Sequence, residues 1–262
     1  MLTHIVIAAT ALIVSGLTLF SGFGLGTILM PAFALFFPVS VAIPATAVVH
    51  LVNNLFKLFL VGRQADWKVV ARFGLPAALA AVAGAWLLGQ LGGLPVLARY
   101  GLLGEAREIE PVKLVIGVVI VAFALLELSP RFAELSFPPR YLAAGGLVSG
   151  FFGGLSGNQG AFRSAFLLKA GLDKEAFVAT GVVTAVVVDT VRLFVYGLSF
   201  YATNFAAISG DVAGVVATAI VAAAVGAWLG ARLLKKVTLR LVQLVVAFMM
   251  IVVGLGLASG VL

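Results

Sequence analysis

Seven stretches of this chain, 3 to 20, 41 to 61, 73 to 91, 112 to 128, 177 to 200, 212 to 231 and 240 to 261, are nearly free of charge. Each is about as long as a helix must be to cross a hydrocarbon core of roughly 30 Å. In lipid every backbone N–H and C=O must be satisfied within the chain, which leaves helices or a closed barrel. A barrel would show short alternating segments, and the sequence has none. The expected fold is therefore all-α, a polytopic transmembrane helical bundle. Composition agrees: 63% of residues are hydrophobic and 10% charged, against about 25% charged in soluble domains. The first apolar run lacks a basic leader and a cleavage site, so it reads as a structural helix.

The net charge of +7 is mostly a matter of topology, since eleven of the seventeen basic residues fall in four loops. These are Arg63, Lys68 and Arg72; Arg131 and Arg140; Lys169 and Lys174; and Arg232, Lys235, Lys236 and Arg240. In the loop from 92 to 113, Glu105, Glu108 and Glu110 offset Arg99, Arg107 and Lys113, and the loop from 199 to 210 has no charge. By the positive-inside rule the four basic loops are cytoplasmic and the other two lie outside. The charge gives no reason to expect a nucleic-acid partner; the partners expected are the lipid bilayer and a small anionic substrate, with a homo-oligomer left open.

An internal repeat carries more information. S-G-F-G-L-G at 21 to 26, followed by Ala45-Thr46, recurs as L-S-G-N-Q-G at 155 to 160, followed by Ala179-Thr180, 134 positions on. Asn54 and Lys57 are matched 135 positions on by Asp189 and Arg192, and G-A-W at 84 to 86 recurs at 226 to 228. Corresponding loops differ in charge: 62 to 72 is basic where 199 to 210 is neutral, and 92 to 113 is balanced where 232 to 240 is basic. That is the pattern of inverted-topology repeats, which place a substrate site near the midplane. The expected organisation is a first repeat over 1–128, a cytoplasmic linker over 129–140 and a second repeat over 141–262. Five segments per half give about eight to ten membrane segments, with both termini outside. The second segment of each half, about 27 to 37 and 160 to 171, is short for a span and reads as a half-helix or a re-entrant piece.

Glycine weakens a helix by roughly 1 kcal/mol per residue, so Gly22, Gly24 and Gly26 in one half and Gly153, Gly154, Gly157 and Gly160 in the other predict breaks. Unwound backbone at membrane depth must be buried in protein or line a wet cavity, and the helix N-terminus beyond it favours an anion. Close helix packing is the alternative use of such glycines.

The paired glycine-rich motifs, Pro31, the A-T steps and the loop G-R-Q-A-D-W-K at 62 to 68 resemble the TauE/SafE sulfite exporter family of membrane permeases. The resemblance covers nearly the whole chain. The second copy departs from the family pattern as N-Q-G-A-F-R-S-A, which makes it more polar through Asn158, Gln159 and Arg163. The resemblance implies a secondary transporter of small anions such as sulfite, thiosulfate or organosulfonates in the bacterial inner membrane. It implies no enzyme, and the sequence shows no nucleotide loop, cofactor motif or metal-ligand cluster.

The substrate-binding residues expected are Gly22, Gly24, Gly26, Asn158, Gln159, Gly160 and Arg163. Arg163 reads either as a planar fork for a sulfonate or as an interfacial anchor. Along the pathway, His50, Asn54 and Lys57 share one face of a helix, with Lys57 close enough to the cytoplasmic loop to snorkel. Thr184, Asp189 and Arg192 occupy the matching segment of the second half, and Asp189 is too deep to reach either surface. It reads as a structural ion pair with Arg192 or as a carboxylate that switches with a proton gradient. An anion channel on the same architecture is the alternative function. An intramembrane serine protease, suggested only by G-L-S-G at 154 to 157, lacks a histidine in a later helix.

Overall fold

The computed structural model describes residues 1–18, 25–102, 104–198, 210–233 and 239–262. Among these, five helices precede residue 129 and five follow residue 141. The first five are α1 (Leu2–Thr18), α2 (Leu25–Ala34), α3 (Val39–Val61), α4 (Leu75–Gly92) and α5 (Pro111–Leu128). The second five are α6 (Leu142–Ser156), α7 (Gly160–Leu167), α8 (Lys174–Tyr196), α9 (Gly210–Leu233) and α10 (Leu239–Ser259). Five helical runs are long and apolar enough to cross a membrane: Val39–Gln64, Trp67–Gly92, Pro111–Leu128, Lys174–Tyr196 and Asp211–Leu229. The protein is an all-α, multi-pass helical bundle.

The second helix of each half is short, as the sequence suggests. With ten residues α2 extends about 15 Å, and with eight α7 extends about 12 Å. Helix α6 stops at Gly157, whose φ of 86° is left-handed, a conformation that costs little without a side chain. Gly153 and Gly154, expected in the break, stay within this helix, which ends at Ser156.

Glycine sets the helix packing. Gly146, Gly150 and Gly154 on α6 face the carbonyls of Phe73, Ala77 and Ala81, and Gly84 on α4 faces that of Phe151. A Cβ at any of these glycines would overlap the facing backbone, so α4 and α6 run parallel in direct main-chain contact. Gly226 on α9 faces the Leu12 carbonyl, and Gly214 lies beside His4, so α1 and α9 also run parallel. Gly84 and Gly226, the glycines of the two G-A-W motifs, thus do the same work in the two halves.

Two other pairs are antiparallel. On α5 and α10, Gly117 meets Gly254 and Ala258, while Gly254 meets Gly117 and Val121. On α3 and α8, His50 and Asn54 meet Asp189, while Leu58 and Val61 pack with Ala179 and Val183. The first helix of each half therefore packs on the fourth helix of the other, the third on the third and the fifth on the fifth. Exchanging the halves leaves this pattern unchanged, as a two-fold relation requires. Because corresponding helices are antiparallel, the axis lies across the helices and not along them.

Two connections are structured. Residues 98 to 109, where the sequence shows only a charge-balanced loop, form an antiparallel hairpin, β1 (Ala98–Leu102) and β2 (Glu105–Ile109). The balance is local pairing: Arg99 and Glu108 face each other across the strands at 2.8 Å, and Arg107 pairs with Glu105. The hairpin also holds the end of α10, with Tyr100 Oη donating to the Ser259 carbonyl at 2.6 Å. On the other connection, Asp66 accepts from the N–H groups of Lys68 and Val69 and so caps the helical turn that leads into α4. The Asp66 N–H donates to Thr180 Oγ1 of α8 at 3.0 Å, docking the G-R-Q-A-D-W loop on the opposite half.

Candidate functional site

The antiparallel crossing of α3 and α8 brings the two polar stripes together at Asn54 and Asp189. These are repeat mates, and Asn54 Nδ2 donates to Asp189 Oδ2 at 3.3 Å. A residue that touches its own mate lies at the two-fold axis, so this contact marks the centre of the arrangement.

Asp189 and Arg192 are fully buried. A buried charge is tolerable only when paired and hydrogen-bonded, and Asp189 has a partner on every side. Its Oδ1 accepts from Arg192 Nε at 3.0 Å, lies 2.8 Å from Arg192 Nη2, and accepts from Gln159 Nε2 at 3.3 Å. Its Oδ2 lies 2.6 Å from His50 Nδ1 as well as receiving Asn54. At that distance from a carboxylate, Nδ1 carries the proton and donates it. Asn54 Nδ2 lies against the ring, 3.1 Å from Nδ1 and 3.3 Å from Nε2.

Arg192 and Tyr196 also answer a local need. Helix α6 ends inside the bundle, leaving last-turn carbonyls that water cannot reach. Arg192 Nη1 donates to the Gly153 carbonyl at 3.2 Å, and Tyr196 Oη donates to that of Gly154. Ser149 Oγ donates to the Gln159 carbonyl at 2.9 Å, across the turn from α6 to α7. The second break is thus held from α8 by residues three and four apart on one helical face. Gly157 lies so close to Arg192 Nη1 that a Cβ there would stand only 2.9 Å away.

The described part of α2 approaches the same place. Gly26, in the first turn of α2, would put a Cβ 3.4 Å from the Gly157 carbonyl and 3.6 Å from His50 Cδ2. The edge of the imidazole that turns away from Asp189 therefore looks toward the start of α2. Gly22 and Gly24 lie outside the described residues.

The remaining expected residues fall into three groups. Asn158 and Gln159 are buried in the turn between α6 and α7, with Gly160 opening α7. Arg163, also buried, lies along α8, where a Cβ at Gly181 would be 3.6 Å from its Nε; its charge is felt at both His50 and Lys57. Lys57 is half-buried on α3 and has no carboxylate within ion-pair distance among the described residues. Thr184 is not brought into the cluster: its hydroxyl donates to the Thr180 carbonyl of its own helix at 2.8 Å, and it faces Gly74.

Sequence reasoning passed over Tyr196, Ser149 and Asp66. Tyr196 stands four residues after Arg192, which was a legible signal. Ser149 and Asp66 act through backbone groups whose exposure depends on where the helices end.

Asp189, Arg192, His50, Asn54 and Gln159 are gathered at the turn between α6 and α7, with Arg163 buried on α7 close to α8. No curated protein sequence and no solved structure matches the chain. A family model does, that of the sulfite exporter TauE/SafE family, over residues 7–257. Its members are membrane transporters, and with nearly its whole length matched the chain belongs to that family.

Proposed function

We propose that this transporter moves small anions, among them sulfite, thiosulfate or organosulfonates, through a midplane site between two inverted repeats. The repeats are 1–128 and 141–262, joined by a cytoplasmic linker over 129–140, and the membrane is the bacterial inner membrane. The observation that carries the reading is the meeting of repeat mates Asn54 and Asp189 beside Gly26 and Gly157, at the turn between α6 and α7. Arg163 and Lys57, beside the Asp189–Arg192 pair, are the cations assigned to attracting substrate. The N-terminal ends of α2 and α7 contribute their dipoles. Rocking of one half against the other exposes the site alternately to the two sides.

Proton coupling is assigned to the Asp189–His50 pair. A proton taken up at His50 Nε2 adds positive charge next to Gly26 and beside the Asn54 amide. The anion and the proton then favour each other's binding.

The test is thermal stability of the purified protein against sulfite, thiosulfate, taurine and acetate, since a ligand bound only by the folded state raises it. Thiosulfate is the most telling, because it takes up no proton near neutrality. Arg163→Lys keeps the charge but loses the planar fork. Stabilisation that is weakened in Arg163→Lys and lost in Arg163→Ala supports the site; equal stabilisation in both makes Arg163 an anchor. If thiosulfate enters proteoliposomes at a rate indifferent to an imposed proton gradient, the protein is the anion channel instead.

A further inference from the structure

Outside the ionic cluster, a groove of about 580 Å³ opens on the surface where the approaches to α4 and α6 meet, lined by Arg72, Leu75, Leu79, Arg140 and Ala143 among others. We infer that this groove binds one anionic phospholipid of the cytoplasmic leaflet, with its phosphate between Arg72 and Arg140 and an acyl chain along Leu75 and Leu79.

Charge supports the headgroup position. Arg72 and Arg140 are both exposed, and neither is paired with a carboxylate among the described residues. Two guanidiniums on one groove without a counter-ion repel each other, and a phosphate between them removes that repulsion while accepting from both. Arg140 also lies over the Tyr141 ring at 4.8 Å, which limits its wandering.

The walls select a lipid over a free anion. Leu75 and Leu79 line the groove together with Arg72 and are 64% and 72% exposed. An apolar strip therefore leads from the guanidinium into the bilayer, where a soluble phosphate would leave it unused. The depth is also suitable. Both loops carry the basic excess that marks the cytoplasmic side, and Trp67 and Tyr141 are exposed near them, as aromatic side chains are at the headgroup level. Anionic lipid attracts such basic segments.

The groove lies at the mouth of the seam where Gly146 meets the Phe73 carbonyl and Pro76. A lipid seated there touches both halves and stabilises their contact.

The experiment reads thermal unfolding of the full chain in phosphatidylcholine nanodiscs, with and without phosphatidylglycerol. Native mass spectrometry counts the retained lipid. Phosphatidylglycerol is expected to raise the melting temperature by several degrees and to leave one molecule bound. Arg72→Gln/Arg140→Gln should lose both effects, whereas Arg131→Gln/Lys174→Gln, which removes two charges elsewhere, should keep them. Inorganic phosphate added to phosphatidylcholine samples should not substitute. The inference is overturned if the groove variant retains its lipid and its shift, if the control variant loses them equally, or if phosphate alone reproduces the stabilisation. None of these outcomes depends on what the central site transports.

Discussion

Asp189 is placed so that its two oxygens serve four side chains from both halves. Removing its charge would leave Arg192 buried without a counter-ion, and breaking a buried pair in this way costs about 3–5 kcal/mol. Asp189→Asn is therefore expected to lower thermal stability markedly, and Asp189→Asn/Arg192→Met to recover much of the loss; a melting series measures both. His50 has a different expectation. His50 protonation next to Gly26 adds a positive charge, so anion uptake should rise as pH falls. His50→Gln should keep a basal flux of thiosulfate but flatten that rise, as measured in proteoliposomes from pH 5 to 8. A His50→Gln protein whose pH profile matches the wild type would remove His50 from the coupling.

At the scale of elements, the packing depends on glycine facing main chain. Gly150 on α6 abuts the Ala77 carbonyl, and Gly226 on α9 that of Leu12. Overpacking a fitted contact costs typically about 1–3 kcal/mol, and here the obstacle is backbone, which cannot rotate aside. Gly150→Val should therefore unfold the protein at lower temperature than Gly197→Val, since nothing lies near a Cβ at Gly197; paired melting curves compare them. Much of this architecture was legible. Apolar length gave the helices, the offsets matched Asn54 to Asp189, and loop charge gave the opposed orientations. The hairpin strands Ala98–Leu102 and Glu105–Ile109 were less visible, because their ion pairs, Arg99 with Glu108 across the strands and Arg107 with Glu105 along one, show in a charge count only as balance. His50, Asn54, Gln159 and Arg192 stood out in the sequence as polar residues in apolar runs, but their bonding to Asp189 did not. That His50 rather than Lys57 reaches Asp189 depends on the crossing of α3 and α8, and Thr184 is turned toward Gly74 by the same geometry.

For the whole molecule, the two-fold pattern carries a topology that labelling can check, since the chain has no cysteine. Gln64 and Leu97 are exposed at opposite ends of the run from Trp67 to Gly92. A cysteine at Gln64 should react with an impermeant maleimide only from the cytoplasm, and one at Leu97 only from outside. Reaction of both from the same side would contradict the membrane-crossing assignment of α4. The reciprocal clasp of first and fourth helices also bears on how the protein is made. Helix α1 leaves the ribosome long before α9, yet the surface that covers it at Leu12 belongs to Gly226, which is synthesised more than two hundred residues later. Until then its backbone groove faces lipid, or whatever attends the nascent chain, and the first half has no finished form of its own to adopt. Final assembly must wait until α9 has entered the membrane.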